Sequence, residues 1–206
     1  DEDLPRADLR RMLASAWPDL QVVAECEDGQ ATLEALADQA LKALDLPAGA
    51  KVLIPAFTFA AVPSAVVHAD CVPVLVEVGD NYRVDMADFA AKLDGADAVL
   101  ISHMRGHTSD MDAIMALCDA RNIPVVEDAA QSYGATLDGQ RSGSLSTIGC
   151  TSFFPTKPLG GAGDGGAVFT ADPLVANRVK EIRDHGQSGK YLHSRLGING
   201  RLDSIA

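Results

Sequence analysis

Short apolar, β-branched runs alternate with helical patterns along most of this chain, and this alternation constrains the fold more than any other feature. A strand, a helix and a second strand usually form a parallel pair joined by a right-handed crossover. The pattern therefore predicts an α/β fold with a mostly parallel sheet covered by helices on both faces. The predicted strands are Gln21–Glu25, Lys51–Ile54, Val72–Val76, Ala98–Ser102, Ile123–Glu127, Gly149–Phe153 and Ala167–Thr170, and the predicted helices are Gln30–Leu44, Asp85–Leu93, Asp110–Asn122 and Pro173–His185.

The size of the chain fits one domain. A length of 206 residues is enough for one sizeable core. We therefore treat residues 1–206 as one domain, in which residues 1–20 form an N-terminal helical segment. The glycine-rich stretch Leu137–Ser146 is expected to be a loop between two strands.

Charge and hydropathy exclude several classes of partner. The 17 Lys and Arg residues are outnumbered by 29 Asp and Glu residues, so the formal net charge is −12. That balance argues against nucleic acid and against an anionic membrane surface as partners. No apolar run approaches the ~20 residues of a membrane span, and the first residues have no signal-peptide character. We expect a soluble, cytoplasmic protein.

The four cysteines predict neither a metal site nor a redox site. Cys26, Cys71, Cys118 and Cys150 lie far apart, and no two of them have the Cys-x-x-Cys spacing of such sites. We expect buried, reduced thiols.

Polar residues follow two of the predicted strands. Ligands of open α/β sheets bind beyond the carboxyl ends of the strands. Glu127 and Asp128 end one strand, with Gln131 three residues on, and Lys157 follows another. Taken singly, such a carboxylate can be a helix cap and such a lysine a phosphate clamp or a surface group. The glycine run at residues 160–166 matches neither a dinucleotide-binding fingerprint nor a P-loop.

Together these residues suit one chemistry. A lysine that forms a Schiff base must lose its proton, which a crowded, partly desolvated position favours. A pyridine cofactor needs a carboxylate near its ring nitrogen. Its phosphate needs backbone donors and hydroxyls, which Gly29–Ala31 at a helix N-terminus and Ser152 could supply.

Several ordered motifs resemble one family. From about Gly29 to its last residue the chain is similar to the DegT/StrS family, fold-type-I pyridoxal-phosphate-dependent aminotransferases of nucleotide-linked keto sugars. The resemblance implies the large, cofactor-binding domain of that fold. The family's C-terminal small domain would follow residue 206 and is absent from this chain. The motifs are Pro55-Ala-Phe-Thr-Phe59, Gly106-His-Thr-Ser-Asp-Met-Asp112, Glu127-Asp-Ala-Ala-Gln-Ser-Tyr-Gly134, Ser152-Phe-Phe-Pro-Thr-Lys-Pro-Leu-Gly160, Gly163-Asp-Gly-Gly-Ala-Val168, Arg183-Asp-His-Gly-Gln187 and Gly197-Ile-Asn-Gly-Arg-Leu-Asp203.

The resemblance implies a role for each residue around the cofactor ring. Lys157 would form the Schiff base with pyridoxal 5'-phosphate and then shuttle a proton between two carbons. Asp128 would pair with the pyridinium nitrogen, and Gln131 would reach the phenolic oxygen. Phe59 would stack on the face of the ring.

The resemblance also implies how the phosphate is held. Ser152 and the amides near Gly29, Gln30 and Ala31 would bind it. Asn199 would reach the phosphate of the neighbouring subunit, so a homodimer would share its active sites. The implied reaction is ping-pong: an amino donor, glutamate, charges the cofactor, and a nucleotide-linked keto sugar takes the amine.

Some positions depart from the family pattern. Asp28-Gly29-Gln30 stands where the family has Ser or Asn, Gly and Thr, and Pro158 replaces an asparagine. Ser102-His-Met-Arg-Gly106 replaces His-x-Tyr-Gly, and His103 within it could contact cofactor or substrate.

Three alternative functions were weighed. The related sugar dehydratases carry histidine where this chain has Lys157, so the lysine argues against that activity. A plain dinucleotide binder lacks its fingerprint. The remaining alternative is a catalytically incomplete member or fragment that acts as a cofactor-binding or dimerisation scaffold.

Overall fold

The computed structural model describes residues 11, 13–15, 21–25, 32–161, 163 and 165–200. Strands and helices alternate through most of this part. The strands are β1 (Gln21–Glu25), β2 (Lys51–Pro55), β3 (Val72–Val76), β4 (Ala98–Ser102), β5 (Val125–Asp128), β6 (Thr136–Leu137), β7 (Gln140–Arg141), β8 (Ile148–Ser152), β9 (Gly166–Thr170), β10 (Gln187–Gly189) and β11 (Leu192–His193). The helices are α1 (Thr32–Ala43), α2 (Ala61–His68), α3 (Met86–Leu93), α4 (Met111–Asp119) and α5 (Pro173–Arg183), with a 3₁₀ turn at Met104–Gly106.

The central sheet has seven strands in the order β1-β9-β8-β5-β4-β2-β3. The strands from β3 through β2, β4 and β5 to β8 are all parallel, whereas β9 is antiparallel to both β8 and β1. The prediction of a mostly parallel α/β sheet is confirmed. The reversal falls where β8 and β9 are joined by a loop without a helix, and antiparallel neighbours do not need a crossover.

Two apolar layers cover the two sides of the sheet. Because side chains alternate along a strand, Val126 and Leu100 point to one side, and Val125 and Ile101 point to the other. We call the first side the α1 face, which α1, α2 and α5 cover. We call the second side the α4 face, which α3 and α4 cover.

Aspartate caps set the starts of three helices. Asp85 accepts hydrogen bonds from the Ala87 and Asp88 amides, Asp110 accepts one from the amide of Ala113, and Asp172 caps α5 in the same way. A side-chain oxygen at this position satisfies an amide that the first helical turn leaves without a partner. The three helices therefore begin one residue after their aspartates.

Two local structures differ from expectation. Helix α2 was not predicted, because its Pro63 and three valines are typical of strands and turns rather than of helices. Residues 137–146 are not a plain loop, since they complete the short hairpin β6–β7. Its turn residues Asp138 and Gly139 both have positive φ angles, of 48° and 83°. Such a turn matches the twist of the strands that flank it.

Several expectations concern residues that lie wholly or largely outside the described part. The helical segment at residues 1–20 is one of these, and Cys26 is another. Cys71, Cys118 and Cys150 are buried free thiols, as predicted. Among the described residues, no helix is both long enough and apolar enough to cross a membrane.

Candidate functional site

Lys157 lies on a closed loop between β8 and β9. The Gly161 amide donates to the Phe153 carbonyl at 2.7 Å, which ties the two ends of the loop together. A Cβ atom on Gly160 would lie 2.5 Å from the Pro155 carbonyl oxygen, so the loop can close this tightly only with glycine there. The loop therefore gives the half-buried Lys157 a fixed point of attachment.

The aromatic ring of Phe59 lies beside the Lys157 side chain. The distance from Lys157 Nζ to the centroid of the ring is 5.9 Å. The Phe59 side chain is 45% exposed although it is large and apolar. One ring face next to an amine is thus open to a planar ligand.

Asp128 is a buried carboxylate at the end of β5. Its Oδ1 accepts a hydrogen bond from the Ala130 amide at 3.0 Å, and Ser102 donates a second one. Burial raises the pKa of Asp128, while these hydrogen bonds and the positive charge of Lys157 act in the opposite direction. A protonated ring nitrogen beside this carboxylate would favour its ionised form.

A hydroxyl pair stands behind Asp128 that sequence reasoning missed. Ser102 lies opposite Asp128 in the register between β4 and β5. Its Oγ is 2.8 Å from Oγ1 of Thr58, which immediately precedes Phe59. Both residues lie in segments that the sequence analysis quotes, but their contact was not predictable, because it depends on which strands are neighbours in the sheet.

Glu127, the neighbour of Asp128, has a different environment on the α4 face. Its Oε1 accepts hydrogen bonds from His103 Nε2 at 2.8 Å and from the Gly143 amide, and its Oε2 accepts one from the Leu145 amide at 2.9 Å. The Ser109 amide donates to His103 Nδ1 at 3.2 Å. Both ring nitrogens of His103 are therefore used inside the fold, whereas the sequence had left open a contact with cofactor or substrate.

A glycine on the neighbouring strand leaves room for the backbone that donates to Glu127. Gly149 lies opposite Glu127 in the register between β5 and β8. A Cβ atom on Gly149 would lie 2.2 Å from the carbonyl oxygen of Gly143. Because Gly149 has no side chain, the backbone at Gly143 can lie against the sheet and donate to Glu127.

Of the residues predicted to bind the phosphate, Ser152 lies in the described part of the chain. Ser152 is 2% exposed, and its Oγ accepts a hydrogen bond from the Phe154 amide at 3.2 Å. Its own hydrogen is therefore the one that could be donated to a ligand. Gly29, Gln30 and Ala31 lie outside the described residues.

The remaining predicted residues are described. Gln131 is half-buried, three residues beyond Asp128. Asn199 is exposed and pairs with Asp184, on a segment that the Ile198 amide ties to the Ile182 carbonyl. Asn199 therefore lies beside the end of α5, not on the loops after β5 and β8.

An exposed cluster lies at the ends of β2, β3 and β4. The rings of Phe57 and Tyr82 have centroids 5.0 Å apart, and Arg105 Cζ lies 4.1 Å from the Tyr82 centroid. Arg105 replaces the tyrosine of the family pattern and has a positive φ of 57°. The departure at this position thus places a cation at the same edge of the sheet as Lys157.

Comparison with known proteins places this chain among the aminotransferases. The chain is 42% identical over 165 residues to the UDP-2-acetamido-2-deoxy-3-oxo-D-glucuronate aminotransferase of Pseudomonas aeruginosa, an alignment that covers 79% of this chain and 46% of that protein. A crystal structure of a DegT DnrJ EryC1 StrS aminotransferase from Brucella abortus superposes with a TM-score of 0.86 at 32% identity, covering 97% of this chain and 55% of the other.

A second solved structure includes a cofactor. NtdA from Bacillus subtilis, with bound PMP, superposes with a TM-score of 0.81 at 25% identity, covering 97% of this chain and 45% of the other. The chain spans about half the length of the relatives that it matches. Residues 28–206 match the family model, and the chain belongs to the DegT/DnrJ/EryC1/StrS aminotransferase family.

Proposed function

We propose that this chain is the cofactor-binding large domain of a pyridoxal-phosphate-dependent aminotransferase that acts on a nucleotide-linked keto sugar. One observation carries the proposal: the ends of three strands bring together an amine, an open aromatic face and a buried carboxylate, on Lys157, Phe59 and Asp128. The activity belongs to the whole protein, since the chain spans about half of its relatives' length.

The donors around this site fit pyridoxal phosphate. Asp128 would hold the ring nitrogen, Phe59 would cover one face of the ring, and Gln131 would reach its phenolic oxygen. Ser152 has a hydroxyl hydrogen to donate to the phosphate, which the amides at residues 29–31 would also bind. When bound, this cofactor supplies an electron sink that stabilises negative charge on the carbon that loses a proton.

Lys157 would do the acid–base work. Its Nζ would accept a proton from one carbon of the reacting pair and return it to the other, which requires the amine to be free of its proton at the start. The closed loop fixes the backbone, and the four-carbon stem lets Nζ move between the two carbons. The Phe59 ring and the half-buried position exclude part of the water around Nζ.

The proposed substrates follow the relatives. The P. aeruginosa enzyme is named for a UDP-linked 3-oxo sugar acid, which supports a nucleotide-linked keto sugar as the amino acceptor here. We propose glutamate as the amino donor, in a ping-pong reaction in which donor and acceptor use the same site in turn.

A homodimer with shared active sites is part of the proposal. Asn199 would reach the cofactor phosphate of the partner subunit. Its exposed position at the end of α5 supports a contact outside its own subunit. The nearby hairpin β10–β11 also carries apolar side chains that water would otherwise surround: Tyr191 is 82% exposed and Leu192 is 63% exposed.

Absorbance spectroscopy with added pyridoxal phosphate tests the cofactor site. We expect the purified protein to show a visible band that borohydride removes and that Lys157→Ala lacks. Lys190→Ala is the matched control, because Lys190 is an exposed lysine beside an aromatic ring, and it should keep the band. Mass spectrometry after reduction should find the cofactor on Lys157. A protein without the band would be a scaffold or an incomplete fragment.

Mixing two inactive variants of the whole protein tests the shared site. Lys157→Ala and Asn199→Ala each damage both sites of their own homodimer. After subunit exchange, half of the dimers are mixed, and one of the two sites in each is intact. About a quarter of the wild-type transamination should return. No recovery, despite proven exchange, would place Asn199 in its own subunit's site, and an active Asn199→Ala homodimer would place it in neither site.

A further inference from the structure

Two hydroxyl groups connect the segment that carries Phe59 to the Asp128 carboxylate. Thr58 Oγ1 and Ser102 Oγ are 2.8 Å apart, and Ser102 in turn bonds the Asp128 side chain. Ser102 is 4% exposed and Asp128 is 6% exposed, so water competes little for these bonds. The three side chains come from the ends of β2, β4 and β5, which are neighbours in the sheet.

The direction of this chain of hydrogen bonds follows from proton counting. An ionised carboxylate only accepts hydrogen bonds, so Ser102 must use its one hydrogen on Asp128. The Ser102 oxygen can then only accept from Thr58, which makes Thr58 the donor of the 2.8 Å bond. The order is therefore Thr58 to Ser102 to Asp128.

We propose that Thr58 and Ser102 are positioning residues for the cofactor, acting as a one-way hydrogen-bond chain that orients the Asp128 carboxylate and links it to the segment carrying Phe59. The inference rests on the proposed function, because it concerns the same cofactor site. Through this chain, the group at the ring nitrogen and the group on the ring face would move together. Each donor also spreads charge away from the oxygen that the ring nitrogen meets.

Removing the hydrogen-bond chain from Thr58 and Ser102 should make the Asp128 carboxylate a stronger base. Burial already raises the pKa of Asp128, and Ser102 opposes that effect. Without Ser102, the proton shared with the ring nitrogen would move toward the carboxylate. The other groups that face Asp128 are the Ala130 amide, His103, Lys157 and the buried thiol of Cys150. None of these changes in the variants below, so a shift can be assigned to the chain.

The experiment measures pyridoxal phosphate affinity and the pH midpoint of the visible band. We expect Ser102→Ala to weaken binding about twofold to tenfold, the range for one net hydrogen bond. The midpoint should rise, because a less positive ring leaves the Lys157 nitrogen more basic. The ¹⁵N shift of labelled cofactor should move toward that of a neutral pyridine. Thr58→Val should do the same to a smaller extent, and Thr58→Ser and Ser102→Thr should restore wild-type values.

The double variant Thr58→Val/Ser102→Ala shows whether the two hydroxyls act as one hydrogen-bond chain or as two independent contacts. If Thr58 acts through Ser102, then adding Thr58→Val to Ser102→Ala should change neither the affinity nor the midpoint further. Additive effects would overturn the proposal, as would unchanged values in both single variants. Thr170→Val is the control, because it removes a buried hydroxyl that donates to the Thr147 carbonyl at 2.8 Å. It should lower stability and leave both cofactor readouts unchanged.

A measurement without cofactor keeps this inference distinct from the proposed function. In the cofactor-free protein, the unfolding free energies of Ser102→Ala, Asp128→Asn and their double variant should be non-additive if the bond exists. Additive unfolding free energies would show that Ser102 and Asp128 do not interact, so no such hydrogen-bond chain would exist. A wild-type protein that binds no pyridoxal phosphate would overturn the proposed function and, with it, the positioning role. A coupled cycle would then show that the chain serves folding alone.

Discussion

The two faces of the sheet treat two adjacent carboxylates in opposite ways. Glu127, on the α4 face, is fully buried and accepts hydrogen bonds from one imidazole and two backbone amides. Asp128, on the α1 face, accepts one hydrogen bond from an amide and one from a hydroxyl, and burial raises its pKa. The two residues differ little in burial, so the number and kind of donors distinguish them.

The comparison shows how a strand end can serve both folding and chemistry. A carboxylate that accepts hydrogen bonds from backbone amides holds the loop that carries those amides in place. A carboxylate that is short of donors keeps a capacity for one more, which a ligand can fill. The period of two along a strand separates these roles by a single residue.

The largest change in stability should come from adding a side chain at Gly149, opposite Glu127. Gly149→Ala would place a methyl group against the Gly143 backbone, and we expect a loss of about 3 kcal/mol or more in unfolding free energy. Urea denaturation measures this loss. Gly139→Ala is the control for backbone strain without a steric clash, because Gly139 has a positive φ of 83° and nothing lies within 4 Å of an added Cβ atom. It should cost about 1 kcal/mol. Equal losses would show that the Gly143 backbone can move away.

Glu127→Gln tests whether the α4-face carboxylate is structural. The amide keeps one acceptor oxygen, but its NH₂ group would face either the Leu145 amide or the donors at the other oxygen. We expect a loss of about 2 kcal/mol in unfolding free energy, since at least one buried donor loses its partner. The visible cofactor band of the folded variant should keep its position. A shifted band with unchanged stability would reverse the roles that we assign to the two carboxylates.

Asp128→Asn should give the opposite result. Burial raises the pKa of Asp128 in the folded protein above its value in the unfolded chain, so its contribution to stability is fully present below the unfolded-state pKa and is lost as pH rises through the folded-state pKa. Asparagine does not ionise. In the cofactor-free protein, the variant should therefore gain stability relative to wild type between about pH 4 and neutral pH. Denaturation at several pH values measures this gain.

Asp128→Asn should also weaken the binding of pyridoxal phosphate, by about tenfold or more, because a hydrogen bond to a charged group is lost. A titration of the visible band gives the affinity. A pH-independent stability difference would mean that burial does not disfavour the ionised carboxylate. An unchanged affinity for pyridoxal phosphate would mean that Asp128 does not contact the ring nitrogen.

The smallest effect should come from outside both faces. Arg105→Gly relieves a left-handed backbone conformation, worth about 1 kcal/mol, and loses an exposed cation–π contact of about the same size. We expect the unfolding free energy to stay within about 0.5 kcal/mol of wild type. Arg105→Ala keeps the strain and loses the contact, so it should be the less stable of the two. Both variants lose the Tyr82 contact, so the reverse order would mean that the left-handed backbone at residue 105 costs no stability.

Much of the fold was predictable from local pattern. The strands before Asp128 and Lys157 were predicted within two residues, because buried β-branched runs are distinctive. The direction of β9 was not predictable from alternation, since it depends on the loop that carries Lys157. Helix α2 was missed because the burial of its apolar face, with Val62 and Val66 in it, outweighs the low helix propensity of valine.

The candidate site was predictable only in part. Lys157 and Asp128 follow strands and belong to recognisable motifs, and the structure brings them together with Phe59. Ser102 and Thr58 were missed because their contact arises from strand order. The sequence left open a contact between His103 and a ligand, but the Glu127 carboxylate and the Ser109 amide occupy its ring nitrogens.

The adjacency of Glu127 and Asp128 restricts how the gene can change length. Inserting or deleting one codon within β5 would rotate every later side chain of that strand to the other side of the sheet. Glu127 and Asp128 would then each move to the opposite side of the sheet, where neither carboxylate would meet its present hydrogen-bond donors. Length variation is better tolerated at the Asp138-Gly139 turn, whose glycine has open space around it. An insertion scan through residues 125–145 should show this boundary as a sharp change in the yield of folded protein.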